Sequence, residues 1–512
     1  MRKGIKKVAV VFVAAIVTVI FFTCDNLDSK EEYSQDGAKK YDKIVFAYAT
    51  FNALPEEEAL QTVEEAVNKI TREKIGAEVK LMPIAIADYS SYVNMELQSG
   101  SQIDIYQTFG SFNEYVSNNM TYDLTNIMES CAPKTKQLLG EEILSSCKKD
   151  EKIFGIPAYK PYGLVPMLIY KREIAEKLNI DMTKIKSVYD LTSVLRKVKK
   201  EYPDMEPLVP VMQGTAGANL CIQDVDYLTD DYNSPKGIIM GQDMTVIDYY
   251  GTDEFKNTCN LVRTWYKEGL IVKDAATTTS TSRELMSLDK SFCYIACYSS
   301  SVYNGLEALE KQCGGEPLGA VQLGEAYLNT VSVNSVTWAV SSTSRIPETA
   351  LKFLDLTFTD EDIINLLIYG IEGRDYVISQ DGYAMYPEGK DAFNVPYTAQ
   401  LSCGIMGNYF LVYPLTASGK EYLKWEEEQN KTLKKSPALG FTFDSSSVKI
   451  EYTAVENVIQ QYLPALLCGS VDPQTIIPEF KENLSTAGLD NIIEAKQEQL
   501  NEWVAKNNGQ VK

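Results

Sequence analysis

Five consecutive segments near the start of this 512-residue chain alternate between strand and helix patterns, and that alternation restricts the fold more than any other feature. Ile44–Thr50 has a strand pattern. Across Glu56–Ile75, the apolar residues Leu60, Val63, Val67 and Ile70 fall at the i, i+3, i+7, i+10 spacing of an amphipathic helix. Glu78–Ile84 is strand-like, Tyr89–Leu97 helix-like and Gln102–Tyr106 strand-like again. A β-α-β-α-β order predicts a parallel sheet with helices on its faces. Ligands of such sheets sit at the carboxyl ends of the strands, which directs attention to the loops Thr50–Leu54 and Gln107–Phe112.

Ahead of this region, Arg2, Lys3, Lys6 and Lys7 form a basic head, and Val8–Phe22 is an apolar run broken only by Thr18. As a helix the run would span roughly 22 Å, short of the ~30 Å hydrocarbon core. A basic start, a short apolar middle and a polar switch predict an export signal over residues 1–24. Cys24 at the switch resembles the lipid-acceptor cysteine of bacterial lipoproteins, although Phe21 stands where Leu is typical and Thr23 where Gly or Ala is typical. Acylation there would anchor the chain stably. The alternative is an uncleaved signal anchor. Residues 25–40 are polar and read as a flexible tether.

Composition narrows the chemistry. Lys plus Arg number 49 against 70 Asp plus Glu, a net charge of −21, which repels phosphate backbones and anionic headgroups and argues against nucleic acid as a partner. The absence of histidine removes Ser-His-Asp and Cys-His activation, the HExxH zinc site and histidine proton shuttling. There is no GxxxxGK[ST] and no strand-linked GxGxxG, so no nucleotide cofactor is expected. Of ten cysteines, Cys293 and Cys297 lie closest in a strand-like run and read as small apolar residues, not as a metal or redox pair. Asp224, Asp226, Asp230 and Asp231 lack the Gly and Glu of an EF-hand loop and read as a solvated loop.

Downstream, Ile153–Gly163 is punctuated by Gly and Pro and is the first candidate hinge, before a strand at Leu164–Tyr170. Val331–Val340 is assigned as a strand carrying Trp338. Many of the 32 tyrosines stand beside turns, where a ring offers a flat apolar face with a polar edge. A sugar presents the matching surface. Glu372 and Arg374, in Gly370–Tyr376, either bind vicinal hydroxyls or close the turn as an internal ion pair. Asp104 lies near a strand end.

Several stretches resemble one family. They include Val246–Phe255, Trp265–Ala276, Val333–Ser341, Tyr369–Tyr376, Ala438–Asp444, Gly469–Pro473 and Ala495–Trp503. Together with the export signal and hinge, they are similar to the extracellular solute-binding lipoproteins of bacterial ABC importers that carry a DUF3502-type C-terminal domain. Relatives usually carry Lys then His where this chain has Arg374 and Asp375. The resemblance implies an α/β, two-lobed periplasmic-binding-protein-like (Venus-flytrap) fold with a helical C-terminal region. The lobes implied are 41–157 with 331–400, and 161–330 with 401–512. The chain would cross between them near Pro157–Gly163, near Thr330 and after the 370s.

The expected function is capture of an oligosaccharide in the interlobe cleft and its delivery to an ABC permease with its ATPase subunits. Hinge closure drives delivery, with no catalysis, cofactor or metal. The receptor would be a monomer held at the membrane only by lipid on Cys24. Phe51, Tyr106, Tyr159, Tyr298 and Trp338 are the expected stacking platforms, and Asp104, Asn334, Glu372 and Arg374 the polar contacts. A receptor for peptides or other small solutes and a surface glycosidase working through two carboxylates are the alternatives.

Overall fold

The structure is a computed structural model that describes residues 40–51, 53–288, 290–298, 306, 309–392, 394–399, 404–416 and 419–507. The export segment, Cys24 and all but the last residue of the tether lie outside the described residues. The compact body begins at Asp42.

Strand β1 (Asp42–Thr50) leads into helix α1 (Glu57–Lys74), β2 (Ala77–Ala85), α2 (Ile86–Ser99) and β3 (Ile105–Gln107). β1 is buried on both faces from Phe46 to Thr50, as a central parallel strand must be. α1 places Glu57 and Glu58 in its first turn and Arg72 and Lys74 in its last, complementing the helix dipole. α2 ends on Gly100, whose φ of 74° supplies the left-handed cap that a side chain resists.

Helix α3 (Pro133–Ser145) and the short β4 (Ile156–Pro157) precede the departure from this sheet. A second, antiparallel sheet follows, ordered β6-β5-β7: β5 is Val165–Lys171, β6 Cys293–Tyr298 and β7 Leu318–Gln322. The chain returns through β8 (Tyr327–Leu328) and inserts β9 (Thr337–Val340) between β3 and β4. The first sheet is therefore ordered β2-β1-β3-β9-β4, with β1 parallel to β2 and β3, and β9 antiparallel to both its neighbours. Helices α4 (Pro347–Thr359), α5 (Glu361–Tyr369) and α6 (Gly419–Thr432) complete the first lobe. β10 (Lys434–Lys435) pairs in parallel with β8. The chain ends in α7 (Lys449–Leu467), α8 (Pro473–Ala487) and α9 (Leu489–Asn507).

Two expectations are corrected. Residues 330–334 form a helix, not the start of a strand, because Asn329 caps them: its side chain accepts from Ser332 N–H while Ser332 Oγ reaches back to Asn329. The lobe boundary near residue 400 is also displaced. Tyr397, Ala399, Met406 and Val412 pack in the first lobe's core with Phe46 and Trp338, whereas Ala438 and Phe441 pack with α7–α9. The last passage between lobes is thus Leu433–Gly440.

Candidate functional site

The carboxyl ends of β1 and β3 face the same way, and the chain closes over them. Gln107, at the end of β3, accepts a hydrogen bond from Ala49 N–H at 2.9 Å and donates to Ile405 O at 3.0 Å. Beyond it, Phe109 and Gly110 both take positive φ (39° and 79°), a sharp turn into the next helix. Phe51, directly after β1, is 48% exposed at this end.

Three segments connect the lobes: residues 158–164, 323–330 and 433–440. They meet at Gly163, where an added Cβ would stand 2.9 Å from Leu433 Cδ2 and 3.1 Å from Ala326 Cβ. Asn430 on α6 brackets the first segment, accepting from Tyr162 N–H at 3.0 Å and donating to Lys160 O at 2.9 Å. Tyr159 forms a backbone bridge with Asn408 and donates its hydroxyl to Glu427 at 3.2 Å. Burial and the nearby Glu427 push its phenol well above the ordinary range.

The expected site residues divide sharply. Phe51 is exposed, Glu372 is exposed and Tyr298 is half-buried at the end of β6, its hydroxyl sharing a 2.8 Å hydrogen bond with that of Tyr294. The others belong to the interior. Trp338 is 1% exposed; its ring stacks on Phe46 at 4.7 Å and its indole N–H donates to Ile405 O at 3.0 Å. Tyr106 is fully buried and donates to Met120 O at 3.1 Å. Asp104 stands at the opposite, amino end of β3, where it accepts from Val45 N–H at 2.9 Å and Ser344 Oγ at 2.6 Å. Asn334 is buried and donates to Ser146 O at 3.2 Å. With faces and polar atoms already engaged, these four are corrected from ligand contacts to core residues.

Tyr159 is buried in the first connecting segment and is not an open platform. Arg374 closes the turn through an ion pair with Asp375 instead of Glu372: its guanidinium holds the buried Asp375 carboxylate through two hydrogen bonds of 2.9 and 2.7 Å. Asp375 in turn accepts from Ile371 N–H at 2.8 Å and Tyr397 N–H at 3.2 Å, which fixes the turn.

One aromatic escaped the sequence reading. Trp425 on α6 is 45% exposed beside Tyr422, with ring centroids 5.4 Å apart. Its signal was a tryptophan amid charged residues (Lys424, Glu426, Glu427, Glu428), where burial does not explain a large ring. Cavities of about 1030, 510 and 430 Å³ lie at other residues, the largest between the end of α3 and the C-terminal helices. Among the described residues, no group of three or more acidic or cysteine side chains is placed to hold a metal ion.

Residues 437–505 match the family model described as a domain of unknown function, DUF3502. Over 500 residues the chain is 24% identical to a carbohydrate ABC transporter substrate-binding protein of Streptococcus pneumoniae serotype 4, covering 94% of each. The crystal structure of the N-glycan transport solute binding protein NgtS from Streptococcus pneumoniae superposes with a TM-score of 0.78 at 21% identity, covering 91% of this chain and 99% of that one. NgtS in complex with Man1GlcNAc superposes with a TM-score of 0.71 at 21% identity, covering 90% and 99%. The suspected resemblance is borne out, and the chain is a two-lobed solute-binding-protein fold that ends in a DUF3502 domain.

Proposed function

We propose that this protein is the receptor of an ABC importer, held outside the cytoplasmic membrane by lipid on Cys24, that captures an oligosaccharide between its lobes and presents it to the permease by hinge closure. The end-to-end match to a carbohydrate substrate-binding protein, over 94% of both chains, carries this reading. Accessible rings support it: the exposed Phe51 and Trp425 on the first lobe and the half-buried Tyr298 at the end of β6 offer flat apolar faces with polar surroundings, suited to the C–H faces of sugar rings. The passages meeting at Gly163 are the hinge of this reading. The receptor works as a monomer, releases its cargo chemically unchanged and leaves ATP hydrolysis to the importer's ATPase subunits.

The test is a thermal-shift screen of the chain from Asp25 onward against oligosaccharide and peptide panels. A ligand bound only by the native state adds RT ln(1 + [L]/Kd), about 2.7 kcal/mol at a hundredfold excess over Kd. Stabilisation by one glycan series is the expected outcome. A response to peptides alone would replace the sugar with a peptide as cargo.

A further inference from the structure

An aromatic recess opens at the same end of the first lobe as Phe51. α1 and α5 run antiparallel: Lys74 at the end of α1 pairs with Asp360 just before α5, while Arg374, just past α5, donates to Ala59 O in the first turn of α1 at 3.3 Å. Because α1 starts soon after the carboxyl end of β1, the end of α5 and the 371–376 turn stand at the same end of the lobe as Phe51. There Tyr369, Tyr376, Ala384, Met385, Tyr386 and Leu415 line a recess of about 190 Å³.

The recess is firmly built. Tyr369, Tyr376 and Tyr413 contact one another, with centroid separations of 5.4, 6.4 and 6.1 Å. Tyr369 donates its hydroxyl to Tyr413 O at 2.6 Å. Met385 and Leu415, 43% and 49% exposed, stand at the rim. Glu372 is exposed beside Tyr376, to which it is bridged through the backbone. The one arginine of the turn is engaged by Asp375, so it leaves the Glu372 carboxylate available as an acceptor.

Building on the receptor reading, we propose that this recess is a separate subsite holding one terminal sugar ring of a long glycan, with the ring face against the tyrosines and a hydroxyl donated to Glu372. Its small volume admits a single ring. Its lining pairs apolar faces with phenolic oxygens, and the Glu372 carboxylate stands on the turn beside it, so both surfaces that a sugar presents are matched. It lies outside the interlobe segments, so a short glycan held in the cleft leaves it empty and a long one reaches both.

The test titrates the full-length chain and its Leu415→Arg and Glu372→Gln variants calorimetrically with mannan, glucan and fructan oligosaccharides from disaccharide to octasaccharide. Both variants change exposed side chains, and Met385→Glu serves as a third should either fail to fold. Wild-type affinity is expected to rise with glycan length. The variants are expected to lose about tenfold for long glycans, the scale of one stacking contact, and nothing for disaccharides. Equal losses for short and long glycans, or no loss at all, would overturn the subsite and leave the receptor standing. A wild-type chain that binds no member of the panel would overturn the receptor reading and the subsite with it.

Discussion

Lys496 donates to Asp230 across 2.6 Å with both side chains closed off from water. The pair ties α9 of the DUF3502 domain to the 226–237 loop, and its remaining valences are filled. Asp230 also accepts from Tyr452 Oη at 2.7 Å and from Lys236 N–H at 2.5 Å, while Lys496 donates to Gly237 O at 3.1 Å. Burial pulls the Lys496 ammonium below its ordinary value. Breaking such a pair from one side strands the other charge. Lys496→Met is therefore expected to cost ~3–5 kcal/mol, seen as a lower urea midpoint with an unchanged slope. A loss below ~1 kcal/mol would mean that the pair is not buried in solution.

Trp338 and Trp425 should answer in opposite ways. Trp338 fills the core between Phe46 and Ile405, so Trp338→Ala is expected to cost ~3–5 kcal/mol of stability. Trp425 is a surface ring, so Trp425→Ala should leave the melting temperature nearly unchanged and weaken glycan binding by ~1–3 kcal/mol, the range for stacking on a ring. Melting curves and calorimetric titrations of both variants separate the roles. A stable Trp338→Ala protein with weakened binding would reverse the assignment.

That contrast shows how far the sequence could be read. The β1-α1-β2-α2-β3 order was legible because each segment keeps one period, and the helix at Glu56–Ile75 differs from the observed Glu57–Lys74 only at its ends. The apolar run around Trp338 signals a central strand, and such strands are covered on both faces. A large ring within one is therefore packed away. Asp104 misled because proximity to a strand end does not say which end: it precedes β3, away from the carboxyl edge. Val331 was drawn into the strand by its β-branched neighbours, while the Asn329–Ser332 capping interaction, worth about 1 kcal/mol, favours a helix. The assignment of residues 405–416 and 419–432 to the first lobe depends on long-range packing that no local pattern carries.

Gly163 offers a test of the hinge. No left-handed backbone is required of it, so the effect of substitution is steric alone. A methyl group there meets Leu433 and Ala326, side chains of the two other passages. Gly163→Ala is expected to lose ~1–3 kcal/mol through overpacking. Adding Leu433→Ala should recover much of that loss, because the nearest clashing atom is then gone; a double-mutant cycle gives the coupling. Strict additivity would show that the passages do not touch.

Lys160 carries a pH dependence whose sign follows from its surroundings. Half-buried over the Tyr162 ring, 5.4 Å from its centroid, it donates to Ser332 O at 3.3 Å and has no carboxylate partner among the described residues. Burial alone pushes its ammonium down to about 8, against about 10.4 in the unfolded chain. Below pH 8 both states hold the proton, and the native state bears the full desolvation penalty. Between about 8 and about 10.4 the unfolded chain binds more protons than the native one, so this group's contribution rises with pH and the penalty disappears. Lys160→Met keeps the stem and removes the charge. The stability of wild type relative to Lys160→Met, measured by urea unfolding, should therefore be flat below pH 8 and climb toward about pH 10. Parallel curves across that window would show that Lys160 is fully solvated and that the first passage is looser than its hydrogen bonds to Asn430 imply.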